Sequence, residues 1–267
     1  ANGDSGGQGR IVALDAATGE IAWTFFVVPR PGEFGHDTWP QDSNTWKLGG
    51  GGVWLVGTVD PDLGMVYFST GNPVPMFGGE IRAGDNLFTA SVLALDIETG
   101  QRRWHYQVVR HDVWDADIAT PLLLYEAQVD GQPRKALAAM RADGFLFLFD
   151  RETGESLLPI EERPVPQSGS PGERTSRTQP FPTRPPAFDR QGATEDNLID
   201  FTPELRAEAI AIASRYVTGP MFTPPSIRGD GPNDTRGTIQ LPGSQGGADV
   251  QGGAFDPETG ILYIPSI

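Results

Sequence analysis

Three stretches of this chain repeat one pattern, and that pattern narrows the folds open to it more than any other feature. IVALDAATGEIAW (11–23), VLALDIETGQRRW (92–104) and FLFLFDRETGESL (145–157) each run through a β-rich segment to an aspartate. Two residues, Thr-Gly and a returning strand then follow. Runs of this kind bounded by turn residues read as hairpins. Asp15, Asp96 and Asp150 can bond their own turn backbone, and Gly19, Gly100 and Gly154 supply the positive φ that closes each turn. A second kind of hairpin, VDPDLGMVYFS (59–69) and FDPETGILYIP (255–265), opens its turn with Asp-Pro. The alternating hairpins predict an all-β fold of four-stranded units stacked radially, a β-propeller in which each sheet buries its faces against its neighbours. At roughly 40–50 residues to a blade, there is room for about four blades, the first and last incomplete. An all-β sandwich with similar hairpins is the competing architecture.

Residues 160–250 depart from the repeat. EERPVPQSGSPGERTSRTQPFPTRPPAFDRQG is rich in Pro, Ser and Arg and predicts a long surface excursion. Within it TPELRAEAIAIASRYVTG (202–219) predicts one inserted helix near 203–217. Thr202 would be its N-cap, Pro203 its first residue and Gly219 its stop, with Leu205, Ala209, Ile212 and Tyr216 as the apolar face. Glycine (34) and proline (24) are abundant, but fourteen phenylalanines and six tryptophans mark a turn-rich folded protein and not a disordered one. A net charge of −15 argues against nucleic acid and anionic membrane surfaces as partners and fits a protein that collects cations. No apolar run approaches the roughly 18 residues of a membrane-spanning helix. No cysteine is present, so neither disulfides nor a CxxCH haem attachment occur. The chain begins at Ala1 and stops in an apolar strand, so both ends read as cut.

The motifs beyond the hairpins carry a family likeness. DTWPQDSNTWKLGGGGVW (37–54), DPDLGMVYFSTGNPVP (60–75), RAGDN (82–86) and HDVWDAD (111–117) resemble the pyrroloquinoline quinone (PQQ) dependent dehydrogenases in order and spacing. ERPVPQ (162–167), TQPF (178–181), FTPPS (222–226) and GGAFDPETGILYI (252–264) look most similar to the membrane glucose and quinate dehydrogenase branch. The resemblance covers residues 1–267 and implies an eight-bladed quinoprotein propeller, of which this chain would supply about half. It implies oxidation of an alcohol or sugar CH–OH to a carbonyl, with ubiquinone or a cytochrome as electron acceptor, in the bacterial periplasm.

That chemistry needs a base for the hydroxyl proton and an electrophile to polarise a carbonyl, roles open to a carboxylate and a hard cation. An oxygen-rich, sulfur-free sequence suits Ca²⁺-like ions. In similar enzymes the position of Asp115 is the general base beside the metal, and Asn72 of STGN matches an amide ligand. Asp4 matches an acidic ligand ahead of the first hairpin, and Asp117 adds a carboxylate that would favour a more highly charged ion such as a lanthanide; the sugar-oxidising branch also resembles WDxD, so Asp117 leaves Ca²⁺ and a lanthanide both open. Trp54 corresponds to the tryptophan on which the planar quinone lies; Trp23 and Trp104 read as packing residues between blades. Family members place Lys or Arg two residues before the glycine of the GFLF-like strand. Here Ala142 holds that position and Arg141 is the neighbouring quinone-binding candidate. Asp112 reads as a loop-bonding residue and His111 as a group that positions the base loop. Two readings compete with the dehydrogenase: a propeller scaffold without chemistry, and an inactive half-ring.

Overall fold

The computed structural model describes residues 7–229, 231 and 234–266. Asp4 lies outside the described residues. The chain opens with a hairpin of β1 (Arg10–Leu14) and β2 (Ile21–Phe26). Strands β3 (Thr58–Asp60), β4 (Met65–Ser69), β5 (Ser91–Asp96) and β6 (Arg102–Gln107) follow as one four-stranded antiparallel sheet in sequence order. Next come β7 (Leu123–Val129), β8 (Gln132–Met140) and β9 (Leu146–Asp150), a three-stranded meander whose edge is extended by a Phe149–Ser156 bridge. The hairpin of β10 (Ile160–Pro164) and β11 (Thr178–Pro182), helix α1 (Pro203–Ala213), and the hairpin of β12 (Ala254–Asp256) and β13 (Ile261–Tyr263) complete it.

The strand sequences explain why these sheets stack. Side chains alternate faces along a strand, and the inner strands here are apolar on both faces. In β5, Leu93 and Leu95 pack with Ile11, Val27 and Val66 toward the first hairpin, while Val92 and Ala94 enter the core shared with the next sheet. In β9, Phe147 and Phe149 serve that shared core, and Leu146 and Leu148 face the cluster that reaches Leu262 of the last hairpin. Three cores in series between consecutive sheets make this a partial β-propeller and exclude the two-layer sandwich.

The predicted turns form by the expected means. Asp15 Oδ1 accepts from Ala17 N (2.9 Å) and Thr18 N (2.8 Å), and Asp96 and Asp150 repeat the arrangement. These bonds hold the exposed Asp15 carboxyl below the usual range. The Asp-Pro hairpin at 256 makes the same turn, with Gly260 N bonding Asp256 O (2.8 Å), so the two hairpin kinds are less distinct than their sequences suggest. The turns closed by Gly100 and Gly154 also receive a tryptophan from the preceding sheet. Trp23 Nε1 donates to Ile97 O (3.0 Å), and its ring occupies the place a Cβ on Gly100 would need, 2.5 Å away. Trp104 donates to Arg151 O (3.1 Å) and covers Gly154 in the same manner.

Two expectations need correction. The helix stops at Ala213 and not near 217. Beyond it Val217 is captured by backbone bonds with 236–239, including Val217 N to Gly237 O (2.9 Å). Thr202 does cap the helix, accepting from Leu205 N (3.3 Å), but Leu205 and Ile212 are exposed and Ala213 is the buried residue. Ile210 and Ala213 instead line a pocket with Leu198 and Leu241, joined by Tyr216 of the expected set from just beyond the helix. Nor is 160–250 merely a surface excursion. Phe181, Met221 and Phe222 are buried in the central core, and Phe222 meets Trp114 edge to face at 5.0 Å.

Candidate active site

Four of the sequence candidates meet in one cleft. Trp54, Asn72, Asp115 and Asp117 line a space of about 370 Å³ together with Met76, Ala119, Ala142, Ser244, Gln245 and Asp249. That volume falls among small-molecule sites, which run roughly 300–1,000 Å³.

Backbone pairing brings the first two together. Gly51 N bonds Asn72 O (2.9 Å) and Gly71 N bonds Gly52 O (2.8 Å), so the glycine run 49–52 lies against STGN. Trp54 then packs on Gly71, where any Cβ would stand 2.3 Å from the indole. The ring stays 42% exposed, which leaves apolar surface facing the cleft. Asn72 is buried, and its Nδ2 donates to Pro73 O (3.3 Å).

The acids come from a tight loop after β6. Asp112 is fully buried and accepts from Trp114 N (2.9 Å) and Ala116 N (3.1 Å), the loop-bonding role its position suggests. Burial pushes its carboxyl up, against the pull of those bonds and of the Arg82 charge. The turn it holds puts Asp115 in the left-handed region (φ 61°), which Asp tolerates better than most residues. Trp114 anchors the loop from behind through Nε1 to Thr223 O (3.1 Å), and Gln240 Nε2 donates to Trp114 O (2.6 Å). His111 bridges Gly84 O (2.8 Å) and Glu173 Oε1 (2.6 Å). Burial raises the Glu173 carboxyl, but its hydrogen bonds from His111 and Gly79 outweigh this and hold it below the usual range. The segment 160–250 therefore braces the acidic loop.

Backbone bonds lace the remaining walls together: Ala142 N to Asp117 O (2.9 Å) and Gly247 N to Ala142 O (2.7 Å). Ala142 lines the cleft, whereas Arg141 does not. The Arg141 guanidinium is buried on the other side, paired with Asp143 (2.8 Å) and donating to Val108 O (2.6 Å) and Pro180 O (3.1 Å). With its donors engaged there, the expected contact of Arg141 with a quinone is not made from this geometry. Asp249, Ser244, Gln245 and Met76 are lining residues that sequence reasoning missed. The signal available was an aspartate inside a glycine-rich run, GSQGGADVQGG.

Among the described residues the lining carries three carboxylates, at 115, 117 and 249, and no Lys, Arg or His. Among the described residues no three His, Cys, Asp or Glu side chains gather as a metal site by themselves. An ion here would use the Asp115 and Asp117 carboxylates with the Asn72 amide, all hard oxygen donors of the kind Ca²⁺ and larger trivalent ions take. The exposed indole on Gly71 suits a planar ring. The residues present thus fit both a hard cation and a flat cofactor.

Stacked β-sheets around a cleft of acids, an amide and an open indole make up a partial β-propeller with a small-molecule-sized site. The chain belongs to the family of PQQ-dependent dehydrogenases described as glucose/ethanol/alcohol dehydrogenase, β-propeller domain, whose profile matches residues 2–267. It is 36% identical over 260 residues to the glycerol dehydrogenase large subunit of Gluconobacter oxydans (strain 621H), covering 96% of this chain and 33% of that protein. It is 32% identical over 253 residues to the quinoprotein glucose dehydrogenase of Escherichia coli (strain K12), covering 94% of this chain and 30% of the relative. Among solved structures, a europium-containing methanol dehydrogenase superposes with a TM-score of 0.67 at 26% identity, over 100% of this chain and 41% of that one. The chain spans about a third of the length of the curated relatives it matches.

Proposed function

We propose that the protein containing this chain oxidises an alcohol or sugar hydroxyl to a carbonyl, with PQQ and a hard metal ion held in the cleft. The convergence of Trp54, Asn72, Asp115 and Asp117 from separate segments carries this reading. A scaffold without chemistry offers no reason for these four to meet. Trp54 would take one face of the quinone, and Asn72, Asp115 and Asp117 would hold the ion. When bound, the quinone supplies a two-electron acceptor and the ion a Lewis acid.

Asp115 takes the hydroxyl proton in this reading. A carboxylate that gives up its proton near neutral pH regenerates without further help, and general bases contribute roughly 10²–10⁴-fold to such steps. Met76, Ala119 and Ala142 give the cleft its apolar surface, which limits water around the transferred proton. Asp117 adds a second charge to the ion-holding set, which favours a lanthanide, although Ca²⁺ suits the same donors. Arg141 is left as a structural group. A place in the bacterial periplasm, with ubiquinone or a cytochrome receiving the electrons, completes the proposal. The relatives named for glycerol and glucose support a polyol or sugar as substrate. Among the described residues no helix is long and apolar enough to cross a membrane.

The test uses the full-length protein reconstituted with PQQ plus Ca²⁺ or a lanthanide, following dye reduction across alcohols and sugars. Asp115→Asn should lower kcat by roughly 10²–10⁴-fold while the ion stays bound. Dye reduction at the wild-type rate in that variant removes the base assignment.

A further inference from the structure

Arg82 is a fully buried arginine whose donors go to two different loops. Its Nε donates to Pro75 O (2.9 Å) and its Nη2 to Met76 O (3.3 Å), in the segment that leaves Asn72. The same Nη2 donates to Asp112 O (2.6 Å), at the root of the loop carrying Asp115 and Asp117. Nη1 donates to Asn86 Oδ1 (2.7 Å), and Asn86 Nδ2 returns a bond to Arg82 O (2.8 Å), fixing the plane of the fork. Burial lowers the guanidinium to about 10, and the nearby Asp112, Glu173 and Glu80 charges oppose that fall, so it stays cationic at neutral pH. A buried arginine is expensive to desolvate, and hydrogen-bonding its head almost wholly to main-chain oxygens is an arrangement that fixes backbone position.

We propose that Arg82 is a positioning residue: it holds the Asn72 segment and the Asp115–Asp117 loop in register, and so sets ion affinity without touching the ion. This rests on the dehydrogenase reading of the same cleft. The two segments share no strand pairing at this point, and Asn72 and the acids must converge to within a coordination sphere. Arg82 reaches both. Groups that orient metal ligands from outside the coordination sphere are worth roughly 10–100-fold in affinity.

The measurement is a calorimetric titration of the PQQ-loaded full-length protein with La³⁺ and with Ca²⁺. Arg82→Lys keeps the charge but loses the planar fork, and it should weaken ion binding by roughly 10–100-fold. Tyr67→Phe is the control. It removes the hydrogen bond from the Tyr67 hydroxyl on β4 to Arg151 O (2.8 Å), which involves neither loop. It should lower the melting temperature yet leave ion affinity as in wild type. Asn86→Gly keeps the positive φ of Asn86 (61°) and frees one guanidinium nitrogen, so a smaller loss in the same direction is expected. Should Arg82→Lys fail to fold, Asn86→Gly decides the question. Wild-type affinity in Arg82→Lys, or in Asn86→Gly when that variant decides, overturns the inference; so does an equal loss in Tyr67→Phe. Wild-type protein that binds neither ion overturns the functional reading, and this inference with it.

Discussion

His105 shows how a single side chain becomes an acid-sensitive point in this fold. It packs edge-on to Phe88 (4.7 Å) and Phe34 (5.8 Å), and Arg102 Nη1 donates to its Nδ1 (3.0 Å). Burial, then the Arg102 charge, push the imidazole down from 6.5 to about 4. Between those values the unfolded chain binds a proton that the folded chain refuses. Stability from this group is therefore complete above about 6.5 and is lost as pH falls toward 4. His105→Asn keeps an acceptor for Arg102 and removes the titration, so its melting temperature should fall less steeply over that window. An unchanged slope would assign the acid sensitivity to other groups. At this scale the sequence was most informative where a residue type has one use. The four residues that meet in the cleft, Trp54, Asn72, Asp115 and Asp117, could be picked out in advance. Arg141 could not, because an arginine one position from the family site satisfies a buried aspartate and two carbonyls as readily as a ligand. Asp249 was missed because its one signal, an aspartate inside a glycine-rich run, is shared by ordinary turns and does not say which way the side chain faces.

Elements were predictable in proportion to how local their causes are. The hairpins follow from an aspartate bonding its own turn and a glycine closing it, and both causes lie within five residues. The end of α1 has a distant cause, the capture of Val217 by the 236–239 segment, and the sequence of the helix holds no trace of that. The buried side of α1 was misread for the same reason. The helix presents Ile210 and Ala213 to segments that arrive from elsewhere in the chain. Gly100 tests the element-scale account. Its φ is 69°, and an added Cβ would meet the Trp23 ring at 2.5 Å. Gly100→Ala should therefore cost about 1–3 kcal/mol from backbone strain alone, with more from the displaced indole. Gly131, with φ 78° and open space around it, makes the comparison. Gly131→Ala should show the strain without the collision, so equal losses in thermal unfolding would count against the tryptophan contact.

The molecule as a whole is a series of sheets in which each inner strand belongs to two cores. Stability in such an array is close to a sum over neighbouring interfaces, and the outermost faces have no neighbour here. Leu14 and Ile21 on the first hairpin are 60% and 65% exposed. At the far end Ile261 and Tyr263 on the last hairpin are 46% and 56% exposed. Apolar patches of this kind mark contact surfaces. The 267-residue chain alone should self-associate in light scattering, and the double change Leu14→Lys, Ile21→Lys should reduce it; a monodisperse wild-type chain would contradict this. The stacked architecture could be inferred from the repeats. The bracing of the acidic loop by residues 160–250 could not, since Glu173, Phe222 and Thr223 carry no periodic signal. The tryptophans that cover the turns have an optical consequence. Trp23 on Gly100 and Trp104 on Gly154 are chromophores installed at two successive seams, one half-buried and one buried. Their emission colours differ with their exposure to water, so the order in which they redden reads out which seam parts first.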